Sequence, residues 1–170
     1  MKPVHAAALA LALLLAPPAL AGEAKPGAPP RLDMPRTLGG APGLRVDDSM
    51  MLYVPARPGR GSTIGVLAVD SETVLSPAAM ASIVPEGDPK FGAIVRQGTF
   101  SSPKFPGAST FFAEHIADDF FKQTWIMTTG RQNIMVTITA PDKASARQAQ
   151  AEVAQKVFEG AVISAVAKGE

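Results

Sequence analysis

The clearest pattern lies between Phe121 and Ala140. Phe121, Gln123, Trp125 and Met127 alternate with Lys122, Thr124, Ile126 and Thr128. After Gly130 the chain resumes with Ile134, Val136 and Ile138 alternating with Met135, Thr137 and Thr139. Side chains of a strand point to opposite faces in turn, so a period of two predicts two strands with one face on a core. Gly130 supplies the turn, and the pair reads as an antiparallel hairpin. "MMLYVPA" (50–56) and "TIGVLAV" (63–69) read as a second pair across the turn-rich "RPGRGS". "FGAIVRQGTF" (91–100) and "ASTFFAEHI" (108–116) complete the predicted strands.

Two stretches carry helical signals instead. "SPAAMASIV" (76–84) opens with Ser76 as an N-cap and Pro77 at the first helical position, where a missing N–H costs nothing. "DKASARQAQAEVAQKVFEG" starts at Asp142, a capping residue, and ends at Gly160, which suits a left-handed terminus. Within it Ala146, Ala149, Val153, Val157 and Phe158 recur every three or four residues, with Arg147, Glu152, Lys156 and Glu159 facing outward. This helix is expected across the sheet face that carries Ile134, Val136 and Ile138. "AVISAVA" (161–167) fits a closing edge strand or a continuation of the helix equally well. The expected fold class is α+β, an antiparallel sheet with a short N-terminal helix and a C-terminal amphipathic helix packed on it.

The chain begins Met1-Lys2-Pro3, followed by "AAALALALLLA" (Ala6 to Ala16) and "PPALAGEA". A short basic start, about ten apolar residues and a small-x-small site describe a secretory signal peptide. Cleavage is expected after Ala19-Leu20-Ala21. A membrane span would need roughly 20 apolar residues, and Pro17-Pro18 end this run earlier. From Gly22 to Gly43, "GEAKPGAPPRLDMPRTLGGAPG" is too poor in apolar residues to offset its ordering entropy, and reads as a flexible tether. The expected organisation is therefore 1–21 leader, 22–43 tether and 44–170 one α+β domain. The bias towards Ala, Gly and Pro, with the leader, points to the periplasm of a Gram-negative cell with a GC-rich genome.

Composition narrows the chemistry. The absence of cysteine removes disulfides, thiolate nucleophiles, cysteine metal ligands and a lipoprotein anchor. Sixteen basic and 15 acidic residues nearly balance, and Lys2 leaves with the leader. That is neither the basic face of a nucleic-acid binder nor a cationic membrane-surface helix.

"TFFAEHIADDFF" (110–121) places His115 three and four residues ahead of Asp118 and Asp119. His5 is lost with the leader, so His115 is the one histidine of the mature chain. Zinc sites want more His or Cys ligands than that. One His with two carboxylates would suit iron or manganese better, but "IADD" between two strands reads first as a polar turn. In a strand, His115 shares a face with Phe111 and Ala113, and Glu114 points the other way. "SSPK" (101–104) has the Ser-x-x-Lys spacing of penicillin-recognising enzymes, which requires a helix that Pro103 opposes, and the companion motifs are absent. "GRGSTIG" (59–65) fits no phosphate-binding fingerprint and reads as a hairpin turn. Glu72, Glu86, Glu114 and Asp118 offer carboxylates without a spacing that pairs them. Trp125 reads as core. No metal or cofactor is expected. The expected partner or ligand surface gathers His115, Asp118 and Asp119 with Arg96 and Lys104 of "RQGTFSSPKFPG" (96–107), read as a loop hung on the sheet.

The order of elements, and above all "WIMTTGRQNIMVTITAPDKASARQAQAEVAQKVFEGAVI" (Trp125 to Ile163), resembles the PsbP-like fold. That α/β/α sandwich is shared by an extrinsic photosystem subunit, a Ran-binding nuclear protein and bacterial envelope proteins. The resemblance implies a non-catalytic binding or assembly role. It carries no active-site motif, so it assigns no residue. The function expected is that of a non-enzymatic envelope accessory binding another envelope protein or a small ligand. The alternative is a small periplasmic hydrolase using His115 or paired carboxylates.

Overall fold

The computed structural model describes residues 29–57, 59–84, 92–117 and 119–168. The expected leader, residues 22–28 of the expected tether, and the carboxylates Glu86 and Asp118 lie outside them. The described residues form one open antiparallel sheet of nine strands and two helices. In chain order these are β1 (Thr37–Leu38), β2 (Ala41–Arg45), β3 (Met50–Tyr53), β4 (Thr63–Asp70), α1 (Pro77–Ile83), β5 (Ala93–Ser101), β6 (Ser109–Ala117), β7 (Phe120–Thr128), β8 (Gln132–Ala140), α2 (Lys143–Lys156) and β9 (Val162–Ala167). The spatial order is β1-β2-β3-β4-β8-β7-β6-β5-β9. Strands β5 to β8 follow one another as hairpins, β4 joins along β8, and α2 carries the chain back across the sheet so that β9 can pair with β5.

Both helices start where the sequence places them. Ser76 Oγ accepts from the Ala79 N–H, and the Asp142 carboxylate accepts from the Ser145 N–H, each satisfying a donor that the first helical turn leaves without a partner. At its other end α2 stops abruptly. Glu159 and Gly160 take φ of 50° and 90°, and the N–H groups of Gly160 and Ala161 donate back to Ala154 O. This reversal launches 161–167 as the edge strand β9, which settles the ambiguity of "AVISAVA".

At its centre the sheet is buried on both faces, whereas the alternation of β7 and β8 predicts only one. Thr124, Ile126 and Thr128 are as buried as Trp125 and Met127. One face packs under α2, where Trp125 meets Phe100, Phe112 and Phe158 at ring separations of 5.0, 5.1 and 5.6 Å. Val136, Ile138, Ala149 and Val153 fill the same layer. The other face holds Leu67, Phe111, Ala113, Ile126 and Met135 under Met80 of α1. Thr128 belongs there because its Oγ1 accepts from the Leu75 N–H at 3.1 Å, fixing the approach to α1. Thr128 reads as solvent-facing because a hydroxyl that bonds the backbone of a covering segment cannot be told from a wet one by periodicity.

The expected tether needs the larger correction. From residue 29 onward it is laid on the fold: Leu32, Leu38 and Ala41 are buried in the α2-side core, and β1 and β2 extend the sheet. Its polar groups are tied far along the chain. Tyr53 Oη donates to Pro35 O at 2.6 Å, Leu32 N–H to Gln132 Oε1 at 2.8 Å and Gly39 N–H to Glu152 Oε2 at 2.7 Å. Arg31 pairs with Asp70. Three well-spaced apolar side chains with such anchors suffice, although no local periodicity announces them.

Candidate functional site

The stretch that first suggests chemistry sits at one end of the sheet. Ala117 pairs with Phe120 across residues 118–119, so "IADD" is the tight turn of the β6–β7 hairpin, with Asp119 exposed. His115 lies opposite Lys122 and shares its face with Phe111 and Ala113, as the alternation predicts. It is fully buried, and neither ring nitrogen reaches a hydrogen-bond partner. Burial holds its pKa below the ordinary value, and the Lys122 charge adds to this. The Gly92 backbone pulls the other way without reaching hydrogen-bond geometry. A neutral imidazole inside an apolar layer follows.

The structure does not assemble the surface expected from the sequence. His115 presents no atom to a partner, because it has no exposed area. A register shift between Ile94 and Arg96 places Arg96 opposite Glu114, on the α2 side of the sheet and away from His115. There its guanidinium carbon lies 5.2 Å from the centre of the Phe112 ring. Lys104 stands at the far end of β6, roughly 27 Å from the hairpin at ~3.3 Å per residue. Its Nζ donates to Glu159 Oε1 at 2.7 Å. The first half of the expected loop 96–107, residues 96–101, is strand β5. Ser102 Oγ donates to Phe158 O at 2.7 Å in the following turn, a structural bond rather than an activated serine.

Two arrangements were not anticipated. On the α2 side, Gln123 Nε2 donates to Glu114 Oε2 at 3.1 Å and to Gln150 Oε1 at 2.9 Å, beside Arg96 and Phe112. Gln123 was already visible as the polar member of the Trp125 face. Gln123 is thus held between Glu114 and Gln150 at the border of the core, while its Oε1 and the Arg96 Nε are buried without a hydrogen-bond partner. Among the described residues, no three His, Asp or Glu side chains converge as metal ligands. A cleft of about 280 Å³ at the Lys104 end is lined by Pro29, Pro30, Phe105, Pro106 and Thr129, with a hydroxyl as its polar side-chain group. It can accept a small apolar group but carries no acid or base.

The second arrangement is a surface. Leu44 is 63 % exposed and lies opposite half-buried Leu52, on the face shared with α1. Val46, whose N–H donates to Met50 O, and Val54 just past β3 are exposed beside them. Among the described residues α1 packs over β6, and Leu44, Val46 and Val54 stay exposed at this corner of the sheet. The strip therefore continues the apolar layer through Met50 into open solvent. The sequence hid it because "GLRVDD" follows the apparent tether and has no clear period. No family model matches the chain, and no curated protein matches it either.

Proposed function

We propose that the protein is a non-enzymatic binding protein, exported to the periplasm, that docks another envelope protein on the β2–β3 corner of its sheet. The observation that carries this reading is the cluster of exposed Leu44, Val46 and Val54 around half-buried Leu52. Clustered exposed aliphatic side chains of this kind mark interaction sites, whereas scattered ones do not. The resemblance to PsbP-like proteins, a group of binding and assembly factors, agrees with it but adds no residue. The absence of any helix among the described residues long and apolar enough to cross a membrane is compatible with it. The hydrolase alternative loses its best residue, since a substrate would have to reach a fully buried His115. The test is photo-crosslinking in the producing cell. A crosslinker at position 44 should trap one defined protein, whereas one at exposed position 147, on α2, should not. Equal trapping at both positions, or none at 44, would reject the assignment.

A further inference from the structure

The two edges of the sheet are built differently. At one edge β1 is two residues long, and its neighbour β2 carries Pro42 and Arg45. Short strands, proline and charge are the usual means of keeping an edge from pairing with another chain. At the other edge β9 reads "VISAVA" over six residues, with no charge, proline or bulge. Val162 and Val166 are 64 % and 73 % exposed.

The direction of the edge groups follows from one bond. Lys168 N–H donates to Val95 O at 3.0 Å, continuing the β5–β9 register. Peptide groups alternate in direction along a strand, so Val162, Ser164 and Val166 also turn theirs towards β5. Ile163, Ala165 and Ala167 then direct their N–H and C=O outward from the sheet.

We propose that β9 pairs with β9 of a second copy, antiparallel about a two-fold axis at Ser164, so that two sheets become one. In that register Ile163 faces Ala165 of the copy in both directions, and these are the residues with outward groups, giving about four new backbone hydrogen bonds. Val162 then faces Val166 of the copy at the non-hydrogen-bonded positions, where cross-strand side chains approach most closely. Each exposed valine is thereby covered by one valine of the copy. Charge does not oppose the contact, because β9 carries no charged side chain. An isologous contact of this kind closes on itself, and the joined sheet then ends on both sides in the two-residue β1. A six-residue edge buries less than the roughly 1,200 Å² of a standard interface, so the dimer is reversible and fills only at high concentration.

Sedimentation velocity and amide hydrogen exchange on the purified protein, from micromolar to millimolar concentration, test this. The expected result is a monomer–dimer equilibrium in which the Ile163 and Ala165 amides slow together as the dimer fills. Val162→Lys with Val166→Lys, both at exposed positions, should weaken the dimer by at least about tenfold, a 1.4 kcal/mol effect. Ala165→Pro, which removes an outward N–H, should abolish it. Intact exchange protection in β5 and β6 would show that each variant is folded. A monomer at every concentration, or a dimer without slowing at Ile163 and Ala165, overturns the proposal on the wild-type protein alone. Slowing of these amides only when host extract is added assigns the edge to a different protein and overturns self-pairing as well.

Discussion

Replacing His115 by leucine should change how stability depends on pH more than how large it is. The imidazole is fully buried beside Phe111 and Ala113, without a hydrogen-bond partner, and its pKa lies below the ordinary 6.5. The unfolded chain therefore binds a proton near pH 6.5 that the folded protein refuses. Between the two pKa values the unfolded state holds more protons, so stability rises with pH and is lost as pH falls. One such group contributes a slope of at most about 1.4 kcal/mol per pH unit, and the loss levels off once the folded form is protonated too. Leucine has a similar volume and no proton to gain. The variant should stay within about 1.5 kcal/mol of the wild type at neutral pH and should lack this slope. Urea unfolding of both proteins between about pH 7.5 and pH 5 gives the answer, because contributions from shared carboxylates cancel in the difference. A difference that stays constant across that range would mean that His115 titrates alike in both states, and the buried, neutral imidazole would be wrong.

Other perturbations test the packing. Tyr53→Phe removes the bond to Pro35 O and should cost about 1 kcal/mol in urea unfolding, with faster proteolysis of residues 29–45. Phe158→Ala opens the ring cluster around Trp125 and should cost about 3–5 kcal/mol by the same method. Gly98→Ala would set a Cβ 2.2 Å from Ser164 O. Exchange at residues 162–167 should therefore accelerate more than exchange in β7 and β8, as the edge strand detaches. Ser76→Ala removes the cap of α1 and should cost about 1 kcal/mol, read from the urea midpoint.

Much of the fold is legible in the sequence because strand alternation and helix caps are local signals. Asp142, Ser76, Gly130 and the Val153–Phe158 stripe each do locally what the sequence expects of them. What escaped is long-range. Leu32 and Leu38 belong to the core because Gln132 holds Leu32 itself while Glu152 and Tyr53 hold Gly39 and Pro35, partners that no nearby residue reveals. The second buried face escaped because Thr124 and Thr128 are polar by type but enclosed by position. The expected site failed for a related reason: spacing brought His115, Arg96 and Lys104 together on paper. A bulge then sent Arg96 to the opposite face from His115, and nine residues of β6 separate Lys104 from the hairpin. The strip now assigned to docking was invisible because exposure depends on what α1 leaves uncovered.

The Leu44 corner is proposed to hold a partner. Native mass spectrometry on protein gently purified from its own cells tests it most directly, with wild type beside a Leu44→Asp, Val46→Asp variant. A stoichiometric extra protein mass is expected on the wild type, and the folded variant should lack it. A wild type with no added mass beyond a second copy of itself, or a variant that keeps the foreign mass, would contradict it.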